Sequence, residues 1–487
     1  MIESIEHAAN LADVIELRFD CIREADVNDL LKNLPQVGKT YLFTFRPKDQ
    51  GGKRDSTLSE RLKFWERVFA SGQNDFIIDL EFDPKLLSAV NPSKTERIVS
   101  FHDFAATQND LDPQLGMMAE LSGVTIKIAT CANDATDALP MWRLLDSAKA
   151  YRKKIIPIAM GEAGKWTRIL GLAHGSFMAY ASPSVGQETA DGQITAKDLV
   201  EVYRVKELDL DTKVYGVIGH PVSESLSPYI HNPAFAATGI NAVFIPLQVK
   251  NLDEFIRRMV SPETREVELN FGGFAVTMPH KQAIIKHLDA IDPTAEKIGA
   301  VNTVKIDEGK LTGYNTDAYG FITPLKERFG DLKGSRVAVF GAGGAARACV
   351  FALKQESANV TVFARDNIKA EQIADEFQVR SEQLTTDNRP LTADVDIVVN
   401  ATPLGMKGKH ENETPLSAAD LTGVKFIYDL VTARTDTPLI RAGKEANVPA
   451  IGGLEMLIAQ AVKQFEIWTG HNAPLDVMRN SVEEKMR

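Results

Sequence analysis

Eight polar side chains, Glu16, Arg18, Arg46, Asp79, Glu81, His102, Asp103 and Lys127, fall inside or at the C-terminal ends of short runs rich in β-branched and aromatic residues. A parallel strand covered on both faces should be nearly continuous apolar residue. A charge there is costly unless it is paired or used. Each residue taken alone could be a structural ion pair. Eight of them on five consecutive runs fit a shared site better, where strand ends converge. A second group lies further along. Gly341-x-Gly343-x-x-Ala346 follows an apolar run and opens a small-residue helix. The first glycine allows a tight turn, the second lets a pyrophosphate approach the backbone, and the small third residue lets helix and strand pack. At the end of the next run stand Ala364, Arg365 and Asp366, with Lys369 close by. An NAD site would carry an acidic residue there. Arg365 and Lys369 instead offer cations to a ribose 2′-phosphate and favour NADP, against which Asp366 is a counter-signal and a solvated surface arginine the alternative.

The hydrophobic pattern predicts the elements that position these groups. Strand-like runs fall at 13–20, 39–46, 74–82, 97–104, 123–131, 154–161 and 177–184, separated by periodic apolar segments such as 57–71 and 135–152. Such alternation predicts an α/β fold with a parallel sheet. Seven runs, one short of eight, with charges at their ends predict a (β/α)8-type barrel over residues 1–204. Residues 205–213 are polar and read as a linker, and a second unit opens at 214. The strand, glycine turn and helix at 336–346, with further strands at 359–364 and 395–400, predict a Rossmann-like nucleotide-binding half. Residues 453–469 read as a helix apolar on one face.

The 487 residues, 44% hydrophobic and 25% charged, exclude a fibrous or wholly disordered chain. Length alone suggests roughly three domains. A net charge of −11 without a basic run argues against nucleic acid or an anionic membrane as partner. No apolar run approaches the roughly 20 residues of a membrane span, and the N-terminus lacks the pattern of a secretory signal. Cys21, Cys131 and Cys349 lie far apart and form no CxxC, so no metal site is expected, and buried free thiols in a reducing cytoplasm are.

Ordered motifs surround the glycine turn. They are Gly219-His220-Pro221-Val222-Ser223, Ser225-Leu226-Ser227-Pro228, Thr277-Met278-Pro279-His280-Lys281, Gly299-Ala300-Val301-Asn302-Thr303 and Gly313-Tyr314-Asn315-Thr316-Asp317, then Asn400-Ala401-Thr402-Pro403-Leu404-Gly405-Met406 and Gly452-Gly453-Leu454-Glu455-Met456. With them, residues 214–470 resemble shikimate dehydrogenases. The resemblance implies a substrate-binding domain at 214–330, an NADP domain at 331–452 and C-terminal helices at 453–487 that pack back on the substrate domain. It implies that Ser225 and Ser227 bind the substrate carboxylate, that Thr277, Asn302 and Gln460 hold ring hydroxyls, and that Lys281 and Asp317 form the catalytic pair. Hydride addition to a ketone develops an alkoxide, for which a lysine can supply the proton. The implied cofactor set is Gly341, Ala342, Gly343, Gly344, Ala345, Arg365, Lys369, Thr402 and Gly453. Two departures stand out: Thr432 falls where family members usually carry tyrosine, and Ala364 where asparagine commonly precedes the arginine.

Residues 1–204 carry Glu16-Leu17-Arg18-Phe19-Asp20, Thr44-Phe45-Arg46, Ile78-Asp79-Leu80-Glu81, His102-Asp103-Phe104, Ile126-Lys127-Ile128, Arg168 and Gly192-Gln193. On these pieces the segment resembles type I 3-dehydroquinate dehydratases. The resemblance implies a Schiff base on Lys127, with His102 as general acid and base. Glu16, Arg18, Arg46, Arg168, Thr189 and Gln193 would bind substrate. A desolvated lysine can attack a ketone as the free amine, and the iminium then serves as electron sink. Gln50 stands where most members have glutamate, so any pairing of that carboxylate with His102 is lost and the proton affinity of the histidine should differ. Thr189 replaces a common lid serine. The family's first barrel strand is expected to be missing, because the chain starts almost at the helix before the 13–20 run.

The expected function is a fused two-step enzyme that dehydrates 3-dehydroquinate to 3-dehydroshikimate and reduces this to shikimate with NADPH. The expected partners are these small molecules alone, with a homodimer left open. Three other readings compete: an active reductase beside a barrel crippled by the missing strand, a non-catalytic metabolite-sensing module, and an NAD-using quinate oxidiser.

Overall fold

A computed structural model describes residues 2–90, 95–384 and 395–487. The chain divides into two compact units, Met1–Thr212 with Ile245–Asn270, and Lys213–Phe244 with Phe271–Arg487.

In the first unit β1 (Val14–Arg18), β2 (Thr40–Thr44), β3 (Phe76–Glu81), β4 (Glu96–Asp103), β5 (Val124–Cys131) and β6 (Ile155–Met160) pair in sequence order. All pairs are parallel. β3 and β6 are buried along their whole length, as strands covered on both faces must be. The intervening helices carry their own start signals. Helix Leu58–Ala70 is opened by a capping box in which the Thr57 hydroxyl accepts the Glu60 N–H and the Glu60 carboxylate accepts the Thr57 N–H, a device worth about 1 kcal/mol. Its Phe64, Trp65 and Val68 pack into a core with Phe19, Phe43 and Phe45.

The run 177–184 is not a seventh strand. Its pairing is a single bridge between Ser182 and Thr195, and Pro183 next to it has no N–H to extend a ladder. The alternation nevertheless turns Met178 and Tyr180 inward, against Leu42, Ile77, Ala129 and Ile158. Cys21 is also not buried: it is exposed, whereas Cys131 is half-buried and Cys349 buried, and all three are free thiols.

Two further sheets follow along the chain. One comprises β7 (Lys213–Gly219), β8 (Ala242–Gln248), β9 (Phe271–Val276), β10 (Ala290–Ile291), β11 (Thr303–Asp307) and β12 (Lys310–Tyr314), in the order β10-β12-β11-β9-β7-β8. The other comprises β13 (Arg336–Phe340), β14 (Asn359–Ala364), β15 (Arg380–Gln383), β16 (Ile397–Asn400), β17 (Phe426–Asp429) and β18 (Ala450–Ile451), in the order β15-β14-β13-β16-β17-β18. Strand order reverses between β13 and β16, and ligands of such sheets bind in the crevice beyond the strand ends at that point. The helix Gly453–Thr469 matches its sequence signal and packs Ile458, Phe465 and Trp468 beside Tyr215, Phe235 and Phe244. No helix among the described residues is long and apolar enough to cross a membrane.

Candidate active sites

In the first unit the strand order brings the charged residues together around Asp79. Its Oδ1 accepts the Ser100 hydroxyl at 2.6 Å, and its Oδ2 accepts Arg46 Nη2 at 2.5 Å and Lys127 Nζ at 3.1 Å. The register explains the meeting: Ser100 on β4 pairs with Glu81 on β3 and with Lys127 on β5. Burial alone would raise the Asp79 carboxyl, but the cations of Arg46 and Lys127 hold it well below the usual carboxylate range. Lys127 is 5% exposed. Burial lowers its affinity for a proton below that of an ordinary lysine, with Asp79 opposing. His102 is also held well below its ordinary value, first by burial and then by Arg46 and Lys127, so its imidazole is neutral. Its Nδ1 is buried without a hydrogen-bond partner among the described residues. Gln50 turns its side-chain oxygen to the His102 backbone N–H at 3.3 Å.

The remaining predicted residues have mixed fates. Glu16 accepts the Thr44 hydroxyl at 2.7 Å. Arg18 is held by Asp20 through Nε at 2.9 Å and Nη2 at 2.8 Å. Glu81 pairs with Arg61 at 3.2 Å, and burial pushes its carboxyl up to about 7. Asp103 accepts the Ala105 N–H in a local turn. For Glu81 and Asp103, therefore, a structural role accounts for the charge. Arg168, on the helix Lys165–Leu170, has no ion pair and an unpartnered Nε among the described residues, and burial lowers it to about 10. Thr189 and Gln193 bond to each other, the Thr189 N–H donating to Gln193 Oε1 at 2.7 Å. Their loop is tied to the end of β6, because the Gly161 N–H donates to Asp191 O. No hydrogen bond or ion pair joins Arg168, Thr189 or Gln193 to Lys127 among the described residues. Ser100 and Tyr180 were not selected from the sequence. Ser100 had a signal, a hydroxyl inside an apolar run, but Tyr180 reads as ordinary core.

In the second unit Lys281 Nζ lies 2.5 Å from Asp317 Oδ2. Asn302, 2% exposed, donates to the other oxygen of Asp317 at 2.8 Å and to the Thr316 hydroxyl at 2.9 Å. Its own oxygen accepts the Thr316 N–H and the Thr303 hydroxyl. Gln460 Oε1 stands 3.4 Å from Asn302 Nδ2, and Gln464 donates to the Thr303 hydroxyl at 3.0 Å. Thr303, Thr316 and Gln464 thus back the predicted residues; the two threonines stand in the motifs beside them, and tertiary contact reveals Gln464. The ends of β7 and β9 touch. A Cβ on Gly219 would lie 2.3 Å from Thr277 Cγ2, so only glycine admits Thr277. The Ser227 N–H bonds Ser225 Oγ at 3.3 Å.

The glycine turn has the geometry a pyrophosphate needs. Gly341 has φ of 120°, and a Cβ there would lie 2.7 Å from Ala401 O. A Cβ on Gly343 would meet nothing within 4 Å, and one on Gly344 would lie 3.1 Å from Lys281 Cδ. Gly343 and Gly344 begin the helix Gly344–Gln355, whose positive end suits an anion. The Thr402 hydroxyl donates to Asn400 at 2.6 Å, and Gly453 has no room for a side chain against Leu430 O. Asp366 is explained locally: it caps the helix Asn367–Phe377 and pairs with Lys369 at 3.4 Å. Lys369 is therefore engaged, whereas Arg365 is exposed and carries no ion pair among the described residues.

The family model described as Type I 3-dehydroquinase matches residues 1–209. Those for the shikimate dehydrogenase substrate binding domain, shikimate/quinate 5-dehydrogenase and the shikimate 5′-dehydrogenase C-terminal domain match 217–304, 324–432 and 453–483. The bifunctional 3-dehydroquinate dehydratase/shikimate dehydrogenase, chloroplastic, of Arabidopsis thaliana is 32% identical over 487 residues, covering 96% of this chain and 79% of that protein. The chain belongs to the bifunctional 3-dehydroquinate dehydratase/shikimate dehydrogenase family. Its second part is also similar to the NADP(+) shikimate dehydrogenase of Methanocaldococcus jannaschii, 39% identical over 57% of this chain and 99% of that one. Two solved structures resemble the same part. One is a shikimate dehydrogenase in complex with NADP+, with 38% identity, TM-score 0.52 and coverage of 57% and 98%. The other is a chorismate mutase/shikimate 5-dehydrogenase fusion from Clostridium acetobutylicum, with 32% identity, TM-score 0.51 and coverage of 57% and 99%.

Proposed function

We propose that residues 1–204 dehydrate 3-dehydroquinate to 3-dehydroshikimate and that the segments 214–330, 331–452 and 453–487, beyond a linker at 205–213, reduce that ketone to shikimate with NADPH. The observation that carries this reading is the pair of lysine–carboxylate centres, buried Lys127 with Asp79 and half-buried Lys281 with buried Asp317, one in each unit.

In the dehydratase, Lys127 passes a proton to neutral His102 and attacks the ketone carbon as the free amine; His102 returns the proton to the carbinolamine oxygen, which leaves as water to give an iminium. Neutral His102 takes the neighbouring proton, and the electron pair moves into the iminium. His102 then gives the proton to the departing hydroxyl. Arg46 and Arg168 supply cations for the carboxylate, and Glu16, Arg18, Thr189 and Gln193 complete the substrate contacts. In the reductase, Lys281 gives a proton to the developing alkoxide, while Asp317, fixed at both oxygens, orients it. Asn302, Gln460 and Thr277 hold ring hydroxyls, and Ser225 and Ser227 the carboxylate. The backbone of Gly341 to Ala345 with Thr402 and Gly453 would hold the dinucleotide, and Arg365 with Lys369 its 2′-phosphate. When bound, NADPH supplies the hydride. A reducing cytoplasm fits the free thiols, and a homodimer would appear in light scattering as twice the mass of one chain.

The direct test mixes the protein with 3-dehydroquinate and NADPH and follows NADPH absorbance. Steady consumption is expected. If only 3-dehydroshikimate supports consumption, the dehydratase reading fails.

Two further outcomes are expected. Arg365→Ala should raise KM for NADPH about tenfold while changing that for NADH by less than twofold, since a charge-assisted hydrogen bond contributes about 1.5–3 kcal/mol. Equal losses would mean that Arg365 does not read the phosphate. For the dehydratase, a depressed His102 stays neutral to lower pH, so the acid limb of kcat/KM should lie below the 6.5 of an ordinary histidine. Gln50→Glu sets a carboxylate at the His102 backbone N–H, which favours imidazolium and should move the limb upward. A limb that does not move would separate Gln50 from the proton affinity of His102.

A further inference from the structure

The side chain that covers Lys127 is Tyr180. Its ring centroid lies 4.1 Å from Lys127 Nζ. The same ring packs on the inner layer of the barrel with Met178, beside Ala129 and Ile158. Its hydroxyl is buried with no hydrogen-bond partner among the described residues. Burial, and then the charges of Glu16 and Asp79, keep the phenol well above its ordinary value, so it remains a neutral donor.

We infer that Tyr180 takes part directly in the dehydration, its ring face stabilising the cationic nitrogen of Lys127 and its hydroxyl donating to an oxygen of the substrate. The inference rests on the Schiff-base reading above. The chemistry fits at each step. Condensation forms a C–N bond, releases water and leaves a positive charge on the nitrogen, which faces the negative surface of the ring. Proton removal makes the nitrogen neutral in the enamine, and loss of the hydroxyl as water restores the charge. Hydrolysis by water then frees the amine and the product ketone. Asp79 holds the same nitrogen at 3.1 Å, so carboxylate and ring both stabilise the cation. An unpaired buried hydroxyl is costly, and a polyhydroxylated ring is the kind of ligand that satisfies it.

The test compares wild type, Tyr180→Phe, Tyr180→Leu and Lys127→Ala in the full chain. The readouts are dehydratase kcat and KM, and borohydride trapping of 3-dehydroquinate on the protein as a function of pH, followed by intact mass. Reduction of 3-dehydroshikimate reports whether the second unit is intact in each variant, and far-UV circular dichroism whether the first is. Tyr180→Leu should lose about tenfold to thirtyfold in kcat/KM, the range expected for a desolvated cation–π contact. Its trapping profile should shift to lower pH, because loss of the ring removes a preference for the charged nitrogen. A cavity that merely admits water would shift it the opposite way, by easing the desolvation of Lys127. Tyr180→Phe should keep the wild-type trapping pH but raise KM several-fold. The inference is overturned if Tyr180→Leu traps with the wild-type profile and kcat/KM, if the profile moves to higher pH, or if Tyr180→Phe moves it as much as Tyr180→Leu. If wild type traps nothing, or Lys127→Ala traps equally, the Schiff-base reading falls and the inference with it.

Discussion

Lys127→Ala should abolish dehydration, by on the order of 10⁴-fold or more, because no other amine can form the covalent intermediate. Reduction of 3-dehydroshikimate by the same protein should stay within about twofold. The physical basis is the composition of the Asp79 centre. Removing the ammonium leaves the carboxylate paired with Arg46 at 2.5 Å and bonded to Ser100 at 2.6 Å. The buried charge is thus not orphaned, and the usual severe penalty for breaking a buried pair is softened. Asp79→Asn would be the harsher change for folding, since it leaves two buried cations, Arg46 and Lys127, without their counter-ion. Measuring both activities on one preparation separates chemistry from unfolding. Loss of reduction as well would refute independent sites.

The mirror experiment is Lys281→Ala. Reduction should fall by roughly 10²- to 10⁴-fold, the range for a positioned acid, with dehydration unchanged. NADPH affinity, read by fluorescence titration, should change by less than about threefold. The Lys281 stem runs beside the cofactor turn, where a Cβ on Gly344 would lie 3.1 Å from Lys281 Cδ, and the shorter alanine keeps that space open. Loss concentrated in cofactor affinity would move Lys281 from proton donor to part of the dinucleotide cradle.

Much of both sites was legible because charges inside apolar runs are informative, and the register then decides which of them meet. Lys127, Arg46, Asp79 and His102 stood out for that reason. Glu81 and Asp103 gave the same signal yet serve Arg61 and a local turn, a distinction that spacing does not contain. Tyr180 was hidden because an aromatic residue in an alternating run reads as core. The same alternation made 177–184 look like a strand, although its inward half is what the site uses. Asp366 looks like an acidic contradiction to a phosphate-reading site until the backbone shows that it caps the helix Asn367–Phe377. Gln464 lies on a helix that carries several other polar residues, among them Gln460, Lys463 and Glu466, so nothing local marks it as the backing of Asn302.

Asp79 also bears on the energetics of the reaction path. The nitrogen of Lys127 carries one positive charge as the resting ammonium and one again as the iminium. The carboxylate, fixed by Ser100 and Arg46, therefore meets the same charge at the same place before and after condensation. Held in place, the carboxylate need not reorient as the nitrogen passes through its neutral amine and enamine forms and back to a cation, so the reorganisation free energy that water would demand for each charge change is reduced. In that sense the ion pair is a solvent already oriented when the substrate arrives.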